Sequence, residues 1–324
     1  MGIAILCIVF FHLPTKYSNS IFNVGYGGVD IFLFLSGFGL FYSMSVNNYS
    51  VVQFYKKRFK RILPEFWLFL LLEFVIAKDF TLKSVCDLLC CATTLGYWIK
   101  IIPYKFWFVS CILFFYIIFP IFYKLYQKYG VKVQLLAICF GLMFIAVYSL
   151  VMVFGFDNRN VGGLLILSIS RIPIFFIGTL FGHFFINGYS IKIDIKTIAI
   201  FLFILISAFL LLFFFLARLS DYEWTCALFA MPFIVITPIL CVLLAFIIEY
   251  LPEFISRLLA GLGCISLELY MTHVYLIELF YKTAGCPSNG TTACMVLSLS
   301  FVGAVALYKI NKYILQSIVT KVVK

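Results

Sequence analysis

The sequence predicts an all-α, polytopic membrane bundle of about ten transmembrane helices, organised as one domain over residues 1–324. Composition is the first observation behind that expectation. Of the 324 residues, 65% are hydrophobic and 11% charged, whereas a soluble domain carries about 25% charge; mean hydropathy is +1.13. Second, apolar runs close to membrane-crossing length recur from end to end. Third, the cations behind the net charge of +11 gather in short stretches between those runs. That arrangement suits a lipid bilayer as partner and gives no basic face for nucleic acid.

The runs cover residues 2–13, 26–46, 62–77, 106–126, 133–154, 161–186, 195–216, 226–248, 258–281 and 293–314. Backbone polar groups at membrane depth must be paired within the chain, so each run is expected to be a helix. The stretch 82–99 is interrupted by Lys83 and Asp87 and reads as an interfacial helix. The first run has no basic n-region and no small-residue cleavage site, so it reads as a span and not a leader. It is short, at about 18 Å of helix against a bilayer core of about 30 Å, and a segment upstream of Met1 is expected. More Lys and Arg fall in loops on the N-terminal side of the membrane than on the other, which predicts cytoplasmic termini.

The 11 cysteines are scattered, mostly within apolar runs, where Cys acts as a small hydrophobe. Their spacing gives no metal site. Cys286 and Cys294 flank a polar loop placed outside, where a disulfide stays an open alternative.

Polar groups inside spans are costly, so they point to function. Lys56-Lys57-Arg58-Phe59-Lys60-Arg61 holds five of the 24 Lys and Arg and ends against Ile62-Leu63-Pro64. Such a block fixes topology, and it also gathers the groups that hold a phosphorylated ligand. His12 closes the first run and Asp30 opens the second; His is the usual general base near neutral pH. From Gly27 to Phe38 the second run carries glycines for close packing, and Ser36 can bond across helices. Arg171 stands inside a run beside Pro173, a pairing of buried charge and opened backbone that suits a site. Last, Gly263, Ser266, Tyr270 and His273 lie at steps that put the latter three on one helical face.

In this order the segments resemble the family-3 membrane acyltransferases, ten-span proteins that O-acylate sugars and other acceptors. The matching segments are Gly2-Ile3-Ala4-Ile5-Leu6 through Phe11-His12, Asp30-Ile31-Phe32 through Ser36-Gly37-Phe38, and the basic block closing in Arg61-Ile62-Leu63-Pro64. Phe106-Trp107-Phe108 with Tyr116 and Pro120, Arg171-Ile172-Pro173, and the Gly263 to His273 stripe complete the set. The resemblance implies an acyltransferase that moves an acyl group, acetyl by expectation, from cytoplasmic acyl-CoA to a hydroxyl of a cell-surface polysaccharide or lipid-linked sugar. It implies no bound cofactor and no metal, acetyl-CoA or another acyl-CoA being the donor substrate. His12, Asp30, Arg171 and His273 become catalytic candidates. Lys57, Arg58 and Arg61 become candidates for the donor's phosphates, and Ser36, Trp107 and Tyr270 for substrate. In the family an Arg precedes the catalytic His by eleven positions, which here falls on Met1. The competing expectation is a transporter or lipid-linked glycan flippase, which also uses broken helices and buried charge.

Overall fold

Every secondary-structure element among the described residues is helical, and the chain forms the helical membrane bundle expected of it. The structure is a computed structural model that describes residues 1–12, 22–47, 49–77, 80–98, 106–154, 166–218, 228, 230–284 and 290–322. The helices are α1 (Gly2–His12), α2 (Gly28–Asn47), α3 (Val51–Ala77), α4 (Leu82–Ala92), α5 (Leu95–Trp98), α6 (Trp107–Tyr129), α7 (Val131–Phe154), α8 (Ile172–Ile186), α9 (Ile195–Arg218), α10 (Ala230–Tyr250), α11 (Glu253–Cys264), α12 (Ser266–Ala284) and α13 (Gly290–Val322). A 3₁₀ turn, Phe22–Gly27, leads into α2.

Seven of these segments are long and apolar enough to cross a membrane, and the bent pair α11–α12 makes an eighth. The sequence suggests about ten. Two of the expected spans do not reach that standard: α1 has 11 residues, about 17 Å of helix, and α3 carries the basic block in its second and third turns together with Glu65. Lipid contact is written on the outward faces. Phe203, Ile206 and Leu210 of α9 are 72%, 60% and 66% exposed, and steps of three and four put them on one face, an apolar stripe that water would not tolerate.

The chain divides into two compact units. The first comprises Met1–Gly28, Lys56–Val109 and Phe254–Lys324. Within it α1 packs against the 3₁₀ turn and α12, and α12 packs against α13. The start of α1 lies so close to α11 that a Cβ on Gly2 would stand 2.1 Å from the Leu259 carbonyl oxygen. Thr81 opens α4, its hydroxyl accepting the Ser84 N–H at 3.3 Å. Thr94 then takes a left-handed φ of 64°, which divides the segment read as one interfacial helix into α4 and α5.

The second unit comprises Val29–Tyr55 and Ser110–Glu253. Here α7 packs on α8, α9 on α10, and α8 on α10. Backbones of α2 and α8 approach to contact: a Cβ on Gly37 would stand 2.1 Å from the Phe175 oxygen, and one on Gly178 the same distance from the Phe34 oxygen. Only glycine permits that crossing. Asp194 caps α9 by accepting the Thr197 N–H at 2.7 Å, and this bond holds its carboxyl below the usual range.

The run 258–281, read as one helix, is broken. Helix α11 ends at Cys264, α12 begins at Ser266, and the axis turns by 66°. Gly261 and Gly263 weaken the last turn of α11, and the start of α1 seats there, a Cβ on Gly263 falling 3.3 Å from that of Met1. Gly263 therefore belongs to the helix before the stripe of Ser266, Tyr270 and His273. The described cysteines, Cys294 included, are free thiols. Cys286 lies outside the described residues.

Candidate active site

Two histidines 261 positions apart in sequence meet inside the first unit. His273 Nε2 lies 3.3 Å from His12 Nδ1, and the ring centroids are 5.2 Å apart. Their placement follows from helix packing: His12 ends α1, His273 lies on α12, and these two helices are in contact. His273 is buried. Phe11 closes on the edge of the His12 ring at 4.9 Å between centroids.

Backbone carbonyls assign the tautomers. His273 Nδ1 is 2.8 Å from the Leu269 oxygen, and His12 Nδ1 is 2.9 Å from the Ile8 oxygen. A carbonyl oxygen only accepts, so each Nδ1 carries the proton and each neutral ring keeps its lone pair at Nε2. The lone pair of His273 is aimed at the His12 Nδ1–H, which is shared between it and Ile8. That leaves the Nε2 of His12 as the basic atom of the pair, backed by a neighbour that can accept from the opposite nitrogen. The arrangement repeats the logic of a general base oriented by a third group.

Tyr270 stands beside the pair, its ring 5.8 Å from that of His273 and 5.6 Å from that of Phe108. Trp107 is buried at the start of α6.

The basic block occupies the second and third turns of α3. Lys57 is exposed and Arg58 half-buried. Arg61 is engaged: its Nη1 donates to Glu268 Oε1 at 2.9 Å, and its Nη2 donates to Glu268 Oε2 at 3.2 Å and to the Cys264 oxygen at 2.6 Å. Glu268 has no solvent-exposed surface, while the Arg61 side chain is 45% exposed. Glu65, one turn beyond Arg61 on the same face of α3, is buried and accepts from Asn311 Nδ2 at 2.5 Å.

Asp30 and Arg171 belong to the second unit. Arg171 Nε is 3.7 Å from Asp30 Oδ1. Arg171 Nη1 also donates to the Leu167 oxygen at 2.6 Å and to Ser170 Oγ at 3.0 Å. Asp30 sits in the first turn of α2, where the helix dipole favours an anion, and Arg171 immediately precedes α8. Asp30, offered by the sequence as a catalytic candidate, is thus the counter-ion of Arg171. Ser36 is buried on α2. The third histidine, His183, is held by Tyr126, whose hydroxyl oxygen lies 2.6 Å from its Nδ1.

Glu268, Glu65, Asn311 and the freed carbonyl of Cys264 are absent from the sequence reading. A signal for the acids was present, since a carboxylate within an apolar run is as costly as an arginine. Glu268 escapes because it lies off the stripe that joins Ser266 to His273. Among the described residues no group of three or more His, Cys, Asp or Glu could hold a metal ion.

Residues 2–309 match the family described as "Acyltransferase domain", family 3 of the acyltransferases. Neither the curated proteins nor the solved structures provide a match.

Proposed function

The chain belongs to acyltransferase family 3, and from that premise we propose that it carries an acetyl group from cytoplasmic acetyl-CoA to a hydroxyl of a cell-surface polysaccharide or related glycan. The observation that carries the reading is the meeting of half-buried His12 with buried His273. In the reaction, His12 Nε2 takes the acceptor's hydroxyl proton as the oxygen attacks the thioester carbonyl. A C–O bond forms, the C–S bond breaks, and the departing CoA thiolate receives the proton. His273 holds the His12 Nδ1–H throughout and supports the imidazolium that forms between the two transfers.

Lys57 and Arg58 approach the donor's phosphates from the cytoplasm in this reading, with both termini on that side as the loop charges suggest. Arg171, its guanidinium held by Asp30, is the candidate for charge that develops on the donor or the oxyanion. What supports this is the pairing of the two residues within the second unit. Tyr270 and Trp107 line the acceptor side in this reading.

The test is transfer of labelled acetyl from acetyl-CoA, in membranes carrying the chain, to alkali-labile ester on glycan. Label that disappears with His12→Ala supports the reading. Solute flux through proteoliposomes with no acyl donor, and no labelled ester, overturns it in favour of transport.

A further inference from the structure

We propose that Arg61 is a positioning residue: with Glu268 it clamps the break between α11 and α12 and thereby sets where His273 stands against His12. The inference rests on the acyltransferase reading for its kinetic consequence, and on geometry alone for the clamp.

Arg61 spans the break. Its Nη2 donates to the carbonyl of Cys264, the last residue of α11, and Nη1 and Nη2 together donate to the carboxylate of Glu268, the third residue of α12. The final carbonyls of a helix have no donor within it, so Nη2 supplies one that the 66° turn removes from reach. The charges agree with the helix ends. A cation stands at the negative end of α11 and an anion in the first turn of α12, each where the helix dipole favours it. The planar fork of arginine matches this geometry, since two parallel donors meet the carboxylate while one of them also reaches the carbonyl.

From Glu268 to His273 is five residues along α12, about 7.5 Å of rise. His273 has its Nδ1 bonded to Leu269, the residue after Glu268, so its ring is carried rigidly by the turn that Arg61 holds. His12 is carried by α1, which packs along α12 while its start is pressed against α11 at Leu259. Helix α1 therefore touches both sides of the break. A change in the bend pulls α1 at one end against its seat on α12 and so disturbs the 3.3 Å contact between the histidines. Glu65 and Asn311 support the clamp from behind: Glu65 follows Arg61 by one turn on α3, and Asn311 fastens it to α13, the helix that packs along α12.

A phosphate ligand and a positioning residue differ in their kinetics. Replacing a phosphate ligand raises donor KM, whereas loosening the clamp lowers kcat and leaves donor KM in place. For Arg61→Gln and Glu268→Gln we expect kcat to fall by roughly 10- to 100-fold with donor KM within about twofold. Arg61→Lys keeps the charge but cannot span both partners, and its kcat should lie between those of Arg61→Gln and the native chain. The geometric readout needs no activity: spin labels carried on non-natural residues at Leu258 of α11 and Met295 of α13, both exposed, report the bend. Glu268→Gln should shift or broaden that distance distribution, and Arg61→Lys should do so less.

If the distance moves and no form transfers acetyl, the clamp stands and the enzymatic reading fails. If the native chain transfers acetyl, the distance stays fixed in every variant, and Arg61→Gln raises donor KM with kcat unchanged, the clamp is overturned and Arg61 is a donor ligand.

Discussion

Arg171 Nε stands 3.7 Å from Asp30 Oδ1, and both side chains are closed off from solvent. Removing one member of such a pair leaves a buried charge uncompensated, which costs about 3–5 kcal/mol. Asp30→Asn and Arg171→Met should each lower stability by that order, read as thermal unfolding of the purified protein in detergent. The double variant Asp30→Leu/Arg171→Met should lose less than either single change, because neither charge is stranded. Fully additive losses would show that the two groups do not compensate each other.

The crossing of α2 and α8 depends on two glycines with no room for a methyl group. Gly37→Ala and Gly178→Ala each drive a Cβ to 2.1 Å from a backbone oxygen, so both should unfold at lower temperature than the native chain and accumulate poorly in membranes. Gly39 lies on the same helix with nothing within 4 Å of its Cβ position. Gly39→Ala should be neutral or gain up to about 1 kcal/mol from helix propensity. Equal effects at all three positions would remove the close approach as the cause.

Lys57 and Arg58 are placed on the donor's phosphates by proposal. A charge-assisted hydrogen bond is worth about 1.5–3 kcal/mol, so Lys57→Gln and Arg58→Gln should each raise the KM for acetyl-CoA about tenfold or more, with kcat retained. The KM of the native chain should also rise with ionic strength. The check is a steady-state donor titration at two salt concentrations, and a donor KM that ignores both substitutions would remove them from the site.

Much of the architecture is legible in the sequence, because a bilayer allows few choices. Long apolar runs must be helices, and ionisable residues inside them stand out, which is how His12, Asp30, Arg171 and His273 come to notice. Their partnerships are not legible. His12 and His273 are separated by 261 positions, and no local pattern joins them. Glycines such as Gly261 and Gly263 occur within intact membrane helices, so they do not announce the break at residue 265. Without the break, the Cys264 carbonyl has its own helical donor and Arg61 has no reason to be anything but a phosphate ligand. Glu268 becomes interpretable only once Arg61 is beside it. At α1 and α3 the expected spans fall short of the span criterion for a related reason: hydropathy marks the apolar run, while that criterion also needs length and freedom from charge.

The central claim, that His12 is the base and His273 acts through it, is tested most directly by a double-mutant cycle on acetyl transfer. The kcat of the native chain, His12→Ala, His273→Ala and the double variant would be measured under donor saturation. His12→Ala should lose on the order of 10²–10⁴-fold and His273→Ala less. The double variant should be no slower than His12→Ala alone, since groups that act as a unit are not additive. Losses that multiply in the double variant, or a His12→Ala variant that retains native kcat, would contradict the account.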